Sequence, residues 1–376
     1  MENKKKIVIL YSTAGMGHKK AAIAVAAALE KRKQDVEFKV IDVLDYAKPF
    51  YKFLYLNFYV FLMSRGKLLW GLLYYFSNMP IVDILTREIR GILDYHGFPG
   101  LGAMLREKEP DAIIATHFLL PSIAGILKKR DKSRAKMYAV VTDYGPHSYW
   151  LSGDIDKFFV GADEVLTEMK KRGVPSGKMD VSGIPTTEEF SKDFDSGQIR
   201  GKYGLDKAKK TIFLMSGGFG VGPIGKMLFS LNSCRADIQV ITICGHNKDA
   251  YDNINKLKTR LKYPVQVFGF TDKVSELMAI SDIMITKAGG ISVTEALNSR
   301  LVMILFASIP GQETWNEQFL MANGAALKAF KIKDLPVIAD KLLLSQHTYE
   351  AVKEQIAKIR KPFAAERIVD VVMKEI

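Results

Sequence analysis

Two stretches of the chain have the residue types and spacing needed to hold a nucleotide sugar. The run Ala288-Gly-Gly-Ile-Ser-Val-Thr-Glu-Ala-Leu297 follows an apolar segment, Asp282–Thr286, that reads as a buried parallel strand. Two glycines at a strand's end let the backbone come close to a ligand. The helix they open offers unpaired N–H groups and a positive dipole end to a phosphate. Gly289 and Gly290 therefore suit the phosphate, and Ser292 falls in the first turn. Glu295 lies three residues on, on the same helical face, within reach of ribose hydroxyls. Further along, Pro310-Gly-Gln-Glu-Thr-Trp-Asn316 adds amide and carboxylate groups, from Gln312, Glu313 and Asn316, suited to sugar hydroxyls.

A second glycine loop, Ser216-Gly-Gly-Phe-Gly-Val-Gly-Pro223, suits backbone contact between Gly217, Gly218 and Phe219 and a diphosphate. It lacks the Gly-Lys-Ser/Thr of a P-loop. At the end of Val267-Phe-Gly-Phe-Thr-Asp272, the backbone of Phe270 suits a base edge, against a turn with an aromatic plug as the alternative.

A titratable group lies in the other half. Ser12-Thr-Ala-Gly-Met-Gly-His18 joins a first strand to an Ala-rich helix. Lys20 stands where a dinucleotide fingerprint needs its third glycine, which excludes NAD. His18 sits where open α/β sheets bind ligands, and an imidazole there is able to take a proton from an alcohol. Thr13, Gly15 and Gly17 frame it on the acceptor side. Asp143, His147 and Trp150 follow another strand of the same half. Asp143 reads as an orienter of His18 or of the acceptor, and Trp150 as a ring on which a sugar stacks; helix capping and core packing are the alternatives. His117, at the end of Ile113-Ile-Ala-Thr-His, is placed similarly. Asp154-x-Asp156 has the form some sugar transferases use for a metal. It precedes a strand, though, and Asp193-x-Asp195 shows that such pairs arise here by chance, so no metal is expected.

These loops need a frame, and the chain supplies one. Strand-like runs alternate with helical patterns from end to end, which argues for doubly wound parallel α/β architecture. The first series is Ile7–Ser12, Val36–Val43, Ala112–Thr116, Met137–Thr142, Phe158–Val160 and Met179–Val181. The second is Thr211–Met215, Ile238–Cys244, Val265–Phe268, Asp282–Thr286 and Leu301–Phe306. A length of 376 residues is too great for one ordinary core. The expected division is residues 1–188, residues 189–348, and closing helices over residues 349–376 that cross back to the first domain.

Composition is that of a globular protein, with a formal net charge of +13. The charge is uneven: residues 1–150 carry 23 Lys/Arg against 14 Asp/Glu. Cys234 and Cys244 are the only cysteines, with no metal-ligand spacing, which reads as a reduced cytosolic chain. No uncharged segment reaches the roughly 20 apolar residues of a membrane-spanning helix.

One insertion departs from the pattern. No acidic residue occurs between Asp45 and Asp83, and Lys48–Phe76 holds eleven aromatic residues beside Lys48, Lys52, Arg65 and Lys67. Aromatic and apolar residues flanked by cations are what an interfacial membrane segment on anionic lipid needs. Phe53, Tyr55, Phe58 and Trp70 are the residues expected to meet lipid. A buried helix pair or a subunit interface is the alternative reading.

The glycine loop ending in His18-Lys-Lys-Ala-Ala22, the Ser216–Gly220 loop, Gly269-Phe-Thr-Asp272, and Lys287–Glu295 through Gly311-Gln-Glu313 together resemble the monogalactosyldiacylglycerol synthase and diacylglycerol glucosyltransferase family. That family belongs to glycosyltransferase family 28, with the peptidoglycan enzyme that adds N-acetylglucosamine to lipid I. The resemblance implies a GT-B fold, two Rossmann-like domains facing across a cleft. It implies a UDP-sugar donor (UDP-glucose or UDP-galactose) in the C-terminal domain and diacylglycerol in the N-terminal domain. Hexosyl transfer with inversion follows, at the inner face of the cell membrane, with neither cofactor nor nucleic acid as partner. By the same resemblance His18 is the catalytic base and Glu295 the ribose ligand, while Gln312 and Glu313 hold donor-sugar hydroxyls. Phe219 stands where the lipid I enzyme has a small hydroxyl residue. Transfer of N-acetylglucosamine to a polyprenyl-linked precursor, a soluble UDP-sugar epimerase of the same fold, and a basic nucleic-acid- or membrane-binding protein without catalysis are the competing readings.

Overall fold

The computed structural model describes residues 4–13, 15–58, 61, 66–130, 132–151, 154–216 and 222–376, without the side chains of Phe58 and Lys67. The chain divides into two compact units. One comprises residues 1–187 with Pro310–Trp315 and Lys361–Ile376; the other comprises Glu188–Ile309 and Asn316–Arg360.

The first unit is built on a parallel sheet of six strands: β1 (Lys5–Tyr11), β2 (Val36–Asp42), β3 (Ala112–Ala115), β4 (Lys136–Val140), β5 (Lys157–Phe159) and β6 (Met179–Asp180), in the order β2-β1-β3-β4-β5-β6. The centre of the sheet is dry, as near-continuous apolar strands covered on both faces must be. Ile7, Ile9, Ile114 and Val140 share one core cluster with Ala22, Val25 and Leu29 of the helix Met16–Glu30. Small alanines on that helix let it lie close to the strands. The terminal helix Ala364–Glu375 belongs to the same body and adds Ile368, Val369 and Val372 to the cluster. Glu375 at its end accepts hydrogen bonds from Tyr138 and Lys157.

The second unit repeats the plan with β7 (Lys210–Met215), β8 (Ile238–Ile243), β9 (Val265–Phe268), β10 (Ile283–Thr286), β11 (Val302–Leu305) and β12 (Ala326–Lys328). The order is β12-β11-β10-β7-β8-β9, again all parallel. Both sheets bear out the expected doubly wound class. The edge strand β12 escaped the sequence reading because three residues in Gly-Ala-Ala-Leu-Lys-Ala give no period to detect.

The aromatic insertion is helical where described: Pro49–Phe53, a π-turn over Leu54–Phe58, then Lys67–Ser77, followed by the long helix Pro80–Gly97. Among the described residues no single helix is long and apolar enough to cross a membrane. Leu68–Ser77 and Pro80–Gly97 pass that test only as a pair, bent by 87°.

Candidate functional site

Doubly wound sheets bind ligands where the strand order reverses, because the helices after the two strands part to opposite faces there. In the first sheet the reversal falls between β1 and β3, and the loops after those strands bring His18 and Thr116 together. Gly15 is the N-cap of the helix carrying His18, and a Cβ at Gly15 would lie 3.1 Å from Cδ2 of the imidazole. Gly17 is in the first turn, and the Thr13 hydroxyl donates to Asp42 at 2.7 Å, tying the loop to the end of β2.

The contacts of His18 define its chemistry. Nδ1 lies 2.6 Å from the Thr116 carbonyl, while the Thr116 hydroxyl donates to the His18 carbonyl at 2.8 Å. A carbonyl only accepts, so Nδ1 carries the proton and Nε2 keeps its lone pair. The Thr142 hydroxyl stands 3.2 Å from the same Nδ1. Burial lowers the imidazole pKa from 6.5 to about 4, against the raising effect of the Thr116 bond. The result is a neutral, tautomer-fixed base. His117 packs edge-on at 4.8 Å between centroids. Its Nδ1 accepts the Leu119 N–H at 3.3 Å, and burial followed by the neighbouring His18 drives its pKa well down.

Two sequence expectations change here. The Nδ1 proton of His18 is held by the Thr116 carbonyl, so of the two roles open to Asp143 the orienting of His18 falls to main chain. Asp143 is half-buried on the loop after Thr142, where its charge helps to raise the Tyr74 phenol. Trp150 is 3% exposed and edge-on to Phe118, so packing, not sugar stacking, occupies its ring. His147 likewise caps Ser148–Trp150 by accepting from the Tyr149 N–H, with its pKa lowered by burial to about 4. The carboxylate of Asp156 accepts from Lys128 at 2.9 Å and from the Met137 N–H at 2.8 Å, a structural role.

In the second sheet the reversal lies between β7 and β10. The loop after β7 contains Gly217, Gly218 and Phe219, which lie outside the described residues. The loop after β10 leads to Gly289, N-cap of the helix Gly290–Asn298, in extended conformation. Asn316 is fully buried and donates to the Ala288 carbonyl at 2.9 Å, so its amide holds the glycine turn, a change from the sugar contact expected of it. Ser292 is half-buried in the first turn, and Glu295 is 2% exposed one turn on. Gln312, half-buried, and Glu313, buried, open the helix Gln312–Ala322 behind Gly311, whose φ of 101° is a left-handed value that suits glycine. Phe270 is 61% exposed and stacked on His246 at 4.4 Å, so the plug alternative for it is set aside.

Of the expected lipid contacts, Phe53 is exposed at the end of its short helix. The ring of Tyr55 points inward, 6.0 Å from His117 and 6.0 Å from Phe98. Trp70 is half-buried against Tyr74, and the side chain of Phe58 lies outside the described residues. Apolar exposure continues beyond the segment singled out from sequence. Leu68 is 83% and Leu72 70% exposed on the helix Lys67–Ser77; Ile84, Leu85 and Ile89 are 65%, 68% and 60% exposed on Pro80–Gly97. That second helix is inverted. Its buried residues are Asp83, Gly91, Asp94 and Gly97, while the apolar stripe faces out. Gly91 has to be small, because a Cβ there would stand 2.6 Å from the Ser122 carbonyl. The spacing Ile81-Ile84-Leu85-Ile89-Ile92 was visible in the sequence, but such a stripe ordinarily marks a core face.

Comparison with known proteins adds independent findings. A family model for monogalactosyldiacylglycerol (MGDG) synthase matches residues 18–186, and one for the glycosyltransferase family 28 C-terminal domain matches residues 214–367. The processive diacylglycerol beta-glucosyltransferase of Bacillus cytotoxicus is 31% identical over 377 residues, covering 98% of this chain and 94% of the relative. Among solved structures, Acinetobacter baumannii MurG aligns with a TM-score of 0.62 at 14% identity, over 99% of this chain and 100% of that one. Anabaena HepE, solved with UDP and glucose, aligns at 0.58 and 11% identity over 99% and 100%. The last two share the two-sheet fold.

Proposed function

The chain belongs to the family of monogalactosyldiacylglycerol synthases and diacylglycerol glucosyltransferases, and from that premise we propose that it moves a hexose from a UDP-sugar to the free hydroxyl of diacylglycerol. The observation that carries the chemistry is the presentation of His18: Nδ1–H is fixed on Thr116, Nε2 is left as the acceptor, and burial keeps the ring neutral. In this reading Nε2 takes the proton of the lipid hydroxyl as its oxygen attacks the anomeric carbon. The bond from that carbon to the diphosphate breaks, and UDP leaves with the electron pair. Attack opposite the leaving group inverts the α-linked donor to a β-glycoside. The charge on UDP is met by N–H groups at Gly289–Gly290, with those of the Gly217–Gly220 sequence assigned the same electrostatic role, and this asks for no metal. Glu295 takes the ribose, and Gln312 and Glu313 take the sugar hydroxyls.

Glucose is the proposed hexose, because the relative that spans 98% of the chain is a glucosyltransferase by name. The same relationship leaves transfer to a polyprenyl precursor and epimerisation without support. The protein is proposed to work on an anionic membrane at its cytoplasmic face. The outward apolar stripe supports this, as do the cations of Lys48–Lys67 and the two free thiols, Cys234 and Cys244. Its excess basic charge is assigned to lipid rather than to nucleic acid. The test is incubation with UDP-glucose or UDP-galactose and either diacylglycerol or a polyprenyl diphosphate acceptor, with the lipid product identified by mass. Glucosyl-diacylglycerol is expected from the first donor; product only from the polyprenyl acceptor would overturn the reading.

A further inference from the structure

The turn assigned to the donor sugar is seated against the helix assigned to lipid. Pro310–Trp315 belongs to the same compact unit as the helix Lys67–Ser77, and close approaches of backbone to side chain join them. A Cβ at Gly71 would lie 2.9 Å from the Pro310 Cβ, and a Cβ at Gly311 would lie 2.7 Å from Cγ of Tyr74. Each glycine thus makes room for a side chain of the other segment. Gly145, on the loop after β4, does the same from the sheet, since a Cβ there would run into the Trp315 indole. Contacts as tight as these leave no slack, because protein interiors are packed as densely as organic crystals.

Both partners of the contact are stiff. The Gly311 N–H donates to the Thr314 hydroxyl at 3.2 Å and the Thr314 N–H to the Gly311 carbonyl at 3.1 Å, so the turn that carries Gln312 moves as one piece. On the helix, Tyr74 is buried. The Nδ1 of His147 accepts the Tyr149 N–H, so its Nε2 carries the proton, facing the Tyr74 carbonyl at 3.3 Å and the Ser77 hydroxyl at 3.2 Å. Asn78, directly after the helix, accepts the Ser148 N–H and Nη1 of Arg172 at 2.8 Å each. The helix is therefore fixed to the loop after β4 on its inner side, while Leu68 and Leu72 face outward. A rigid turn resting on a rigid helix takes its position from that helix.

We propose that Gly71 and Tyr74 are positioning residues for the donor sugar, so that the helix that meets lipid is also the wall that sets where Gln312 stands. This rests on the transferase reading above and on Gln312 as a contact of the hexose. The effect then belongs to the sugar end of the donor and not to the nucleotide, which separates positioning from general stability. Gly71→Ala is the first test. Alanine suits a helix better than glycine, so the helix is not weakened, but the added methyl must displace Pro310. KM for UDP-glucose should rise about tenfold, the scale of one lost hydrogen bond. Inhibition by UDP, which lacks the hexose, and binding to vesicles should not change. Pro310→Gly removes the atom that the methyl meets, so the two changes together should raise KM by less than their separate effects multiplied. If Gly71→Ala fails to fold, Tyr74→Ala, which empties the space beside Gly311, should give the same selective rise in KM. Tyr74→Phe, which keeps the ring there, should lose less. Equal weakening of UDP and UDP-glucose would make these residues structural and overturn the proposal. So would an unchanged KM in both Gly71→Ala and Tyr74→Ala, or a loss of vesicle binding alone, which would leave the helix as an anchor only. A wild type that makes no glucosyl-diacylglycerol would overturn the transferase reading together with this one.

Discussion

A histidine serves as a base at neutral pH when its lone pair is presented and its ring is uncharged, and both conditions are met at His18 by neighbours that are hard to foresee. The glycines and the histidine were legible in the sequence because strand-end turns and proton transfer demand particular residue types. The Thr116 carbonyl was not, since every residue has one and only the fold decides which carbonyl faces an imidazole. The choice between stacking and packing for Trp150 stayed open for a related reason: an aromatic residue after a strand packs inward, as it does here, as readily as it lines a site. His18→Ala should lower turnover by ~10²–10⁴-fold while UDP affinity persists; turnover within a few-fold of wild type would remove the residue from the reaction. The pH profile offers a second check. Because the pKa is lowered, to about 4, the imidazole stays unprotonated until the pH falls that far. The limb of kcat/KM assigned to His18, lost in a variant lacking it, should therefore lie near pH 4. A limb near 6.5 would show a solvated ring. At the donor end, Glu295→Ala should weaken UDP binding by the ~1.5–3 kcal/mol of a charged hydrogen bond, and unchanged affinity by calorimetry would refute the ribose assignment.

Helices pose the opposite problem, in that the pattern is plain and its direction is not. The stripe Ile81-Ile84-Leu85-Ile89-Ile92 has the spacing of a core face, yet Asp83, Gly91 and Asp94 are the residues turned inward. The inversion shows in the small and polar residues at the complementary positions: a helix that buries glycine against a neighbouring carbonyl, and pairs its inward carboxylates with Arg87, Arg90 and Ser122, leaves its apolar side facing outward. Replacing Ile84, Leu85 and Ile89 together by Ser tests this directly. Since those side chains are already exposed, thermal stability and UDP affinity should change little, while binding to anionic vesicles should fall sharply. A large loss of stability with vesicle binding intact would mean that protein, not lipid, covers the face.

At the scale of the whole molecule, alternating strand and helix patterns were enough to foresee two parallel doubly wound sheets. Strand order was not readable, because it depends on long-range pairing. It is strand order that explains the sites: β2-β1-β3 places His18 and Thr116 at one reversal, and β10-β7 places the Gly289–Gly290 turn at the other. The proposed function divides its labour accordingly, with the proton acceptor assigned to one unit and the helix N-terminus for phosphate to the other. The account's central claim is inverting hexosyl transfer to diacylglycerol, and the anomeric configuration of the product tests it most directly. With UDP-glucose, diacylglycerol vesicles and EDTA present throughout, NMR of the purified lipid should show a β-linked glucose on the glycerol hydroxyl. An α-linked product, release of free glucose alone, or product formed only after magnesium or manganese is added would contradict the account.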